Sequence, residues 1–322
     1  MHDYRSPRWL PGGHLQTIVP YFFRRQPLPR YRRERIDTPD GDFLDLDWID
    51  GQDDQPLVVL FHGLEGSSRS HYARAMMNTV QVRGWRGVVA HWRGCSGEPN
   101  RLPRAYHSGD HAEAGWVLEM IRARAQPAAM FAVGVSLGGS ALLNWLGRAG
   151  EGARSLLLAA AAVSAPLSLR AGGEAIQRGF NLVYTWNFMR TMRSKGIDKA
   201  RRFPGQVDVR RIRCCRTLYD FDGAFTAPLH GFASADDYWD RGSSLSWLRH
   251  ITLPTLIINA RNDPFMPLSE LPAPLVVSPA VTLELPEQGG HVGFLHGSWP
   301  GDSAWLPRRV LTYFEQYLPR SR

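Results

Sequence analysis

Cysteine is scarce in this chain. The 322 residues hold three, Cys95, Cys214 and Cys215, an odd number with an adjacent pair, which makes a poor disulfide framework and offers no metal-ligand spacing. A reducing cytoplasm is the simplest compartment for such usage. Long apolar runs are missing too. The longest, Leu156 to Val163, is strand-sized and follows Arg154, far short of the ~20 residues that span a bilayer. Met1 is followed by His, Asp, Tyr and Arg, so no signal peptide is expected. There is no Gly-x-x-x-x-Gly-Lys loop, and the first strand-to-helix turn reads Gly63-Leu64-Glu65-Gly66 rather than Gly-x-Gly-x-x-Gly. With no Cys/His metal set either, cofactor-free chemistry is what remains.

Acidic residues are outnumbered, 30 against 38 Lys and Arg, for a formal charge of +8. The basic residues do not interleave into one nucleic-acid patch. Arg24, Arg25, Arg30, Arg32, Arg33 and Arg35 form one group, and Lys195, Lys199, Arg201, Arg202, Arg210, Arg211 and Arg213 a second. Solvated faces are the plain reading. Peripheral contact with anionic lipid, or with a phosphate-bearing substrate, is the sharper one. The 43% hydrophobic and 21% charged content is that of a globular protein, and the length fits one large α/β domain with an insertion.

Residues 1–30 are broken by Pro and Gly too often for a long helix, yet are aromatic enough to pack on the body, with His14 as a hydrogen-bonded structural histidine. Arg35 to Ile49 alternates about the turn Pro39-Asp40-Gly41-Asp42, a hairpin. From Pro56 the rhythm becomes strand then helix. Strands are expected at Leu57–Phe61, Gly87–Trp92, Met130–Val135 and Ser155–Val163, and helices at Tyr72–Val82 and His111–Arg124, the latter capped by Ser108 or Asp110. Residues 165–250 break the alternation and read as an inserted cap. Its aromatics, such as Phe180, Tyr184, Trp186, Phe221 and Trp239, suit cap core better than a ligand cage. Strands at Thr255–Ala260 and Val281–Leu285 and a helix at Ala304–Tyr317 close the chain. Repeated β-α units mean a mostly parallel sheet with helices on both faces, and ligands then sit beyond the carboxyl ends of the strands.

The polar motifs fall at those ends. Gly134-Val135-Ser136-Leu137-Gly138 links a buried strand to a helix, so Ser136 occupies a sharp turn that pushes its hydroxyl into the open. A serine needs a base to take its proton, and the base needs a carboxylate to orient it. Asp263, after one late strand, and His291, after the next, supply both in the order Ser, Asp, His. Asp220 and Asp222 compete only from within the insertion, and His107, His111 and His296 lack the strand-end position. For a developing oxyanion, the N–H groups of Leu137, at a helix N-terminus, and Leu64, after an early strand, are the candidate donors. His62 reads as a brace for the second loop.

These motifs, together with Trp9-Leu10-Pro11-Gly12-Gly13-His14-Leu15-Gln16-Thr17, His62-Gly63-Leu64-Glu65-Gly66-Ser67-Ser68, Trp92-Arg93-Gly94-Cys95-Ser96-Gly97, Phe221-Asp222, Arg261-Asn262-Asp263-Pro264 and Gly290-His291-Val292-Gly293-Phe294, resemble the α/β-hydrolases of the YheT-like group, with the plant EMB8 and mammalian ABHD1 and ABHD3 proteins. The resemblance covers nearly the whole chain. It implies an α/β-hydrolase fold, Ser136, Asp263 and His291 as charge-relay residues, and hydrolysis of short-chain or lipid carboxylic esters without a cofactor. The mammalian relatives act on phospholipids at membranes and carry an N-terminal membrane segment, which is not expected here. A thioesterase or acyltransferase would use the same triad, and a silent binding module the same fold.

Overall fold

The computed structural model describes residues 4–23, 26–272 and 276–319. Among them eight strands form one sheet: β1 (Arg32–Asp37), β2 (Phe43–Ile49), β3 (Leu57–Phe61), β4 (Arg86–Ala90), β5 (Met130–Val135), β6 (Ala159–Val163), β7 (Thr255–Ile258) and β8 (Val281–Glu284). Their order is β1-β2-β4-β3-β5-β6-β7-β8. The opening hairpin runs antiparallel, β2 joins β4 antiparallel, and every later pairing is parallel. The register sets Phe61 against Gly134, Val135 against Val163, Val163 against Ile258 and Ile258 against Glu284. The loops leaving β3, β5, β6, β7 and β8 therefore start side by side.

Alternate strand residues feed two cores, as a parallel sheet covered on both faces requires. On one face Val59, Phe61 and Ala132 pack with α3 (His111–Ala125) and α4 (Leu137–Ala149). On the other, Val58, Leu60, Phe131 and Val133 pack with α2 (His71–Val82) and the closing helix Trp305–Glu315. α3 starts at Asp110, whose carboxylate accepts the Glu113 N–H, so Asp110 rather than Ser108 is its cap. The strand expected from Ser155 begins only at Ala159, because residues 150–155 take a 3-10 turn.

The N-terminal segment departs further from expectation. It holds an eleven-residue helix, α1 (Gly13–Phe23), with Pro20 inside it. Proline removes one rung of the helix ladder, and the Gln16 carbonyl that this frees stands against Gly293 instead. Between β6 and β7 the chain is helical: α5 (Leu169–Ala175), α6 (Leu182–Arg202), α7 (Val209–Cys214), α8 (Leu218–Phe221), a π-turn over Asp222–Thr226, α9 (Ala227–His230) and α10 (Ala235–Gly242). This segment has its own core of Met189, Met192, Ile212, Phe221 and Phe225. Phe180 and Trp186, expected in that core, lie on the surface instead.

Candidate active site

Ser136 lies between β5 and α4 with φ 52° and ψ −121°, a conformation that costs a side-chain-bearing residue energy. Its N–H donates to the Val163 carbonyl at 2.8 Å, tying the turn to the neighbouring strand. The glycines around it are steric necessities. A Cβ on Gly134 would sit 2.6 Å from the Gly139 Cα, and one on Gly138 would sit 2.6 Å from the His62 carbonyl oxygen. Only bare backbone lets the strand, the helix and the neighbouring loop approach this closely.

His291 enters from the loop after β8, behind Gly289 and Gly290 at φ 148° and 60°. Its Nε2 stands 3.0 Å from Ser136 Oγ, and its Nδ1 stands 2.8 Å from Asp263 Oδ2. The Asp263 side chain is fully buried and its other oxygen accepts the Phe265 N–H at 2.8 Å. A carboxylate accepts from Nδ1–H and so fixes the tautomer with a bare Nε2 facing the serine hydroxyl. Phe265 covers the imidazole, ring centres 4.2 Å apart. The structure thus brings together the three residues the sequence singled out, while His107, His111, His296 and Asp220 stand elsewhere. Asp220 caps α8 in a reciprocal pair with Thr217, and His296 faces Asp302 at 3.7 Å.

Residues that sequence reasoning missed hold His291 in place. Thr17 Oγ1 accepts the His291 N–H at 2.9 Å, Gln16 Oε1 accepts the Gly289 N–H at 2.8 Å, and Asn262 Oδ1 accepts the Gly290 N–H at 3.0 Å. Ser164 Oγ accepts the Val292 N–H at 3.1 Å. Ser164, Val292 and Glu65 share with Ser136 a positive φ, so backbone strain gathers around this one centre. The signal in the sequence was Gln16-Thr17, polar residues within an otherwise apolar stretch.

Leu64 and Leu137 line the same pocket as Ser136 and His291, a cavity of about 120 Å³ whose walls also include Leu169, Ile176, Phe188, Met192, Trp239 and Phe265. The loop carrying Leu64 is rigidly tied. Tyr72 OH accepts the Gly63 N–H at 2.8 Å, and Tyr106 OH accepts the Glu65 N–H at 2.9 Å. His62 is completely buried; its Nε2 accepts the Trp92 N–H at 3.1 Å, leaving Nδ1 to donate to the Gly63 carbonyl at 2.8 Å. Burial, with the nearby His91 second, pushes its pKa down to about 3. Asp222 also reaches the pocket wall, receiving Thr226 Oγ1 at 2.7 Å and Trp239 Nε1 at 2.8 Å, and burial lifts its carboxyl to about 6. A larger neighbouring cavity, about 550 Å³, opens under α6 and shares Leu64, Leu137, Met192 and Asp222 with the first.

Several of the basic groups form ordinary ion pairs. Arg33 meets Asp47 at 2.7 Å, Arg35 meets Asp45 at 2.8 Å and Lys195 meets Glu65 at 2.9 Å. Arg24 and Arg25 lie outside the described residues. Arg93, at a strand end, is a buried hub that also borders the larger cavity: it reaches Glu113 at 2.6 Å, Asp40 at 2.9 Å and Asp42 at 3.1 Å. Among the described residues no His, Cys, Asp and Glu cluster could hold a metal ion, and no helix is long and apolar enough to cross a membrane.

A mostly parallel eight-stranded sheet, with Ser, Asp and His meeting at its carboxyl edge, defines an α/β-hydrolase fold. The model of the alpha/beta hydrolase fold family matches residues 56–298. The chain belongs to this family, in the group that includes YheT, ABHD3 and EMB8. It is 40% identical over 310 residues to YheT, a candidate esterase of Escherichia coli, covering 95% of this chain and 91% of that one. To the human phospholipase ABHD3 it is 31% identical, covering 93% and 75%. Among solved structures, an esterase of Pyrococcus furiosus superposes with a TM-score of 0.57 at 16% identity over 90% of this chain and 92% of the other. That likeness speaks to the fold alone.

Proposed function

We propose that this protein is a serine hydrolase of carboxylic esters that works through an acyl-enzyme. The observation that carries the reading is the hydrogen-bonded chain from Ser136 through His291 to the buried Asp263. His291 Nε2 takes the hydroxyl proton as Ser136 Oγ attacks the ester carbonyl. The N–H groups of Leu64 and Leu137 receive the oxyanion, the alcohol leaves with the proton from His291, and water then releases the acid by the same route. Residues 165–250 act as the cap, giving an apolar pocket that suits short-chain or lipid acyl groups. The esterase, phospholipase and lipase names of the relatives point the same way, and the free thiols Cys95, Cys214 and Cys215 suit a cytoplasmic setting.

A fluorophosphonate probe tests the proposal. Wild type is expected to be labelled and to turn over p-nitrophenyl esters, while Ser136→Ala loses both. Folded wild type that takes no label would leave only the silent binding module, and a preference for thioesters or for an acceptor alcohol over water would redirect the chemistry to a thioesterase or acyltransferase.

A further inference from the structure

Surface helices of water-borne proteins bury their apolar side and show their polar one. α1 does the reverse. Its buried residues are Gln16, Thr17 and Pro20, the first two spent on the His291 loop, while Leu15, Phe22 and Phe23 face outward, Phe22 at 58% and Phe23 at 72% exposure. The start of α6 repeats the pattern, with Leu182, Val183 and Trp186 exposed, the last at 62%. The two segments adjoin, since His14 lies 4.7 Å from Phe180 and hydrogen-bonds Tyr184 at 3.2 Å. From there the path to the site is short: Tyr184 packs on Phe265 at 4.8 Å, and Phe265 covers His291.

Charge indicates what this face meets. Residues 4–33 contain no Asp or Glu, nor do residues 175–197, although both carry several arginines. Arg190 stacks over Trp186 at 5.7 Å. Aromatic and aliphatic side chains turned outward, on two stretches whose own charged residues are all basic, match the boundary of an anionic lipid layer. We infer that the outward faces of α1 and the first turns of α6 form a docking surface for an anionic lipid layer, which delivers ester substrate to the mouth of the Ser136 pocket. The delivery rests on the proposed hydrolase activity; the docking does not.

The test uses the full chain and sedimentation with vesicles of phosphatidylcholine and phosphatidylglycerol. Wild type is expected to sediment with them, and a Phe22→Ser/Trp186→Ser variant to bind at least about tenfold more weakly, with unchanged fluorophosphonate labelling and unchanged turnover of a monomeric water-soluble ester. Val183→Asp, built separately, is expected to weaken binding in the same way. Wild type that stays in the supernatant overturns the inference, as does a double variant that binds as well as wild type. Wild type that forms a dimer which the double variant abolishes, with no vesicle binding, assigns the face to a second copy and also overturns it. Vesicle binding without fluorophosphonate labelling would instead fell the hydrolase reading and leave the docking surface standing.

Discussion

His62 and His291 sit within one loop cluster, and their hydrogen bonds give them opposite capacities. His291 has a carboxylate on Nδ1 and a hydroxyl at Nε2, so Nε2 is placed to exchange a proton while the carboxylate keeps Nδ1–H in place. His62 is locked between a backbone N–H and a backbone carbonyl, and a second proton would have to sit against the Trp92 N–H in a dry interior. Its pKa accordingly falls from 6.5 to about 3. Because the folded state then binds fewer protons than the unfolded chain between those values, the stability this group contributes is complete above pH 6.5 and is lost as pH falls toward 3, by about 1.4 kcal/mol per unit within that window. Histidine carbon shifts followed by NMR should show His62 neutral and unchanging from pH 8 down to pH 5. A His62 titration midpoint near 6.5 would show that the brace does not hold.

At the scale of elements, the strand-to-loop junctions were legible because their signals are local. An apolar run of four or five residues followed by Gly or a polar turn marks β3, β5 and β7 wherever the chain goes next. The orientation of α1 was not legible in that way, since which of its faces is buried depends on the His291 loop, more than 270 residues distant in sequence. The role of Arg93 was hidden for the same reason. It follows β4 like the site residues of neighbouring strands, yet it binds the hairpin turn to α3 through Asp40, Asp42 and Glu113. Removing a buried charge leaves its partners desolvated and unpaired, which costs about 3–5 kcal/mol. Arg93→Met should lower stability by about that amount in urea unfolding, with Ser136 still labelled in the fraction that remains folded. A loss under about 1 kcal/mol would mean that water reaches the acids.

For the whole molecule, the sheet brings Ser136, Asp263 and His291 together and the helices between β6 and β7 supply much of the wall of the pocket beside them. The sequence shows that this segment is inserted and aromatic, but not how it divides the space beneath it, because that follows from the packing of α6 across the loops after β3 and β4. Of the five residues that border both cavities, Leu64, Leu137, Asp222, Tyr238 and Met192, the last is the most adaptable. This side chain belongs to the segment's own core and borders both the small cavity beside Ser136 and the larger one under α6. An unbranched thioether yields easily to an incoming chain, so on the proposed ester hydrolysis Met192 is the part of this boundary expected to separate a short acyl site from a longer one. Trimming it should widen the passage between the cavities at a stability cost of about 2–5 kcal/mol, to be checked by thermal unfolding before kinetics are compared. Met192→Ala should then raise kcat/KM for a long-chain p-nitrophenyl ester relative to a short one by about tenfold, the effect of one or two extra methylenes finding apolar contact. If the long-to-short ratio stays at the wild-type value while Ser136 labels at the wild-type rate, the two cavities are not joined through Met192 and the acyl chain leaves the site by another route.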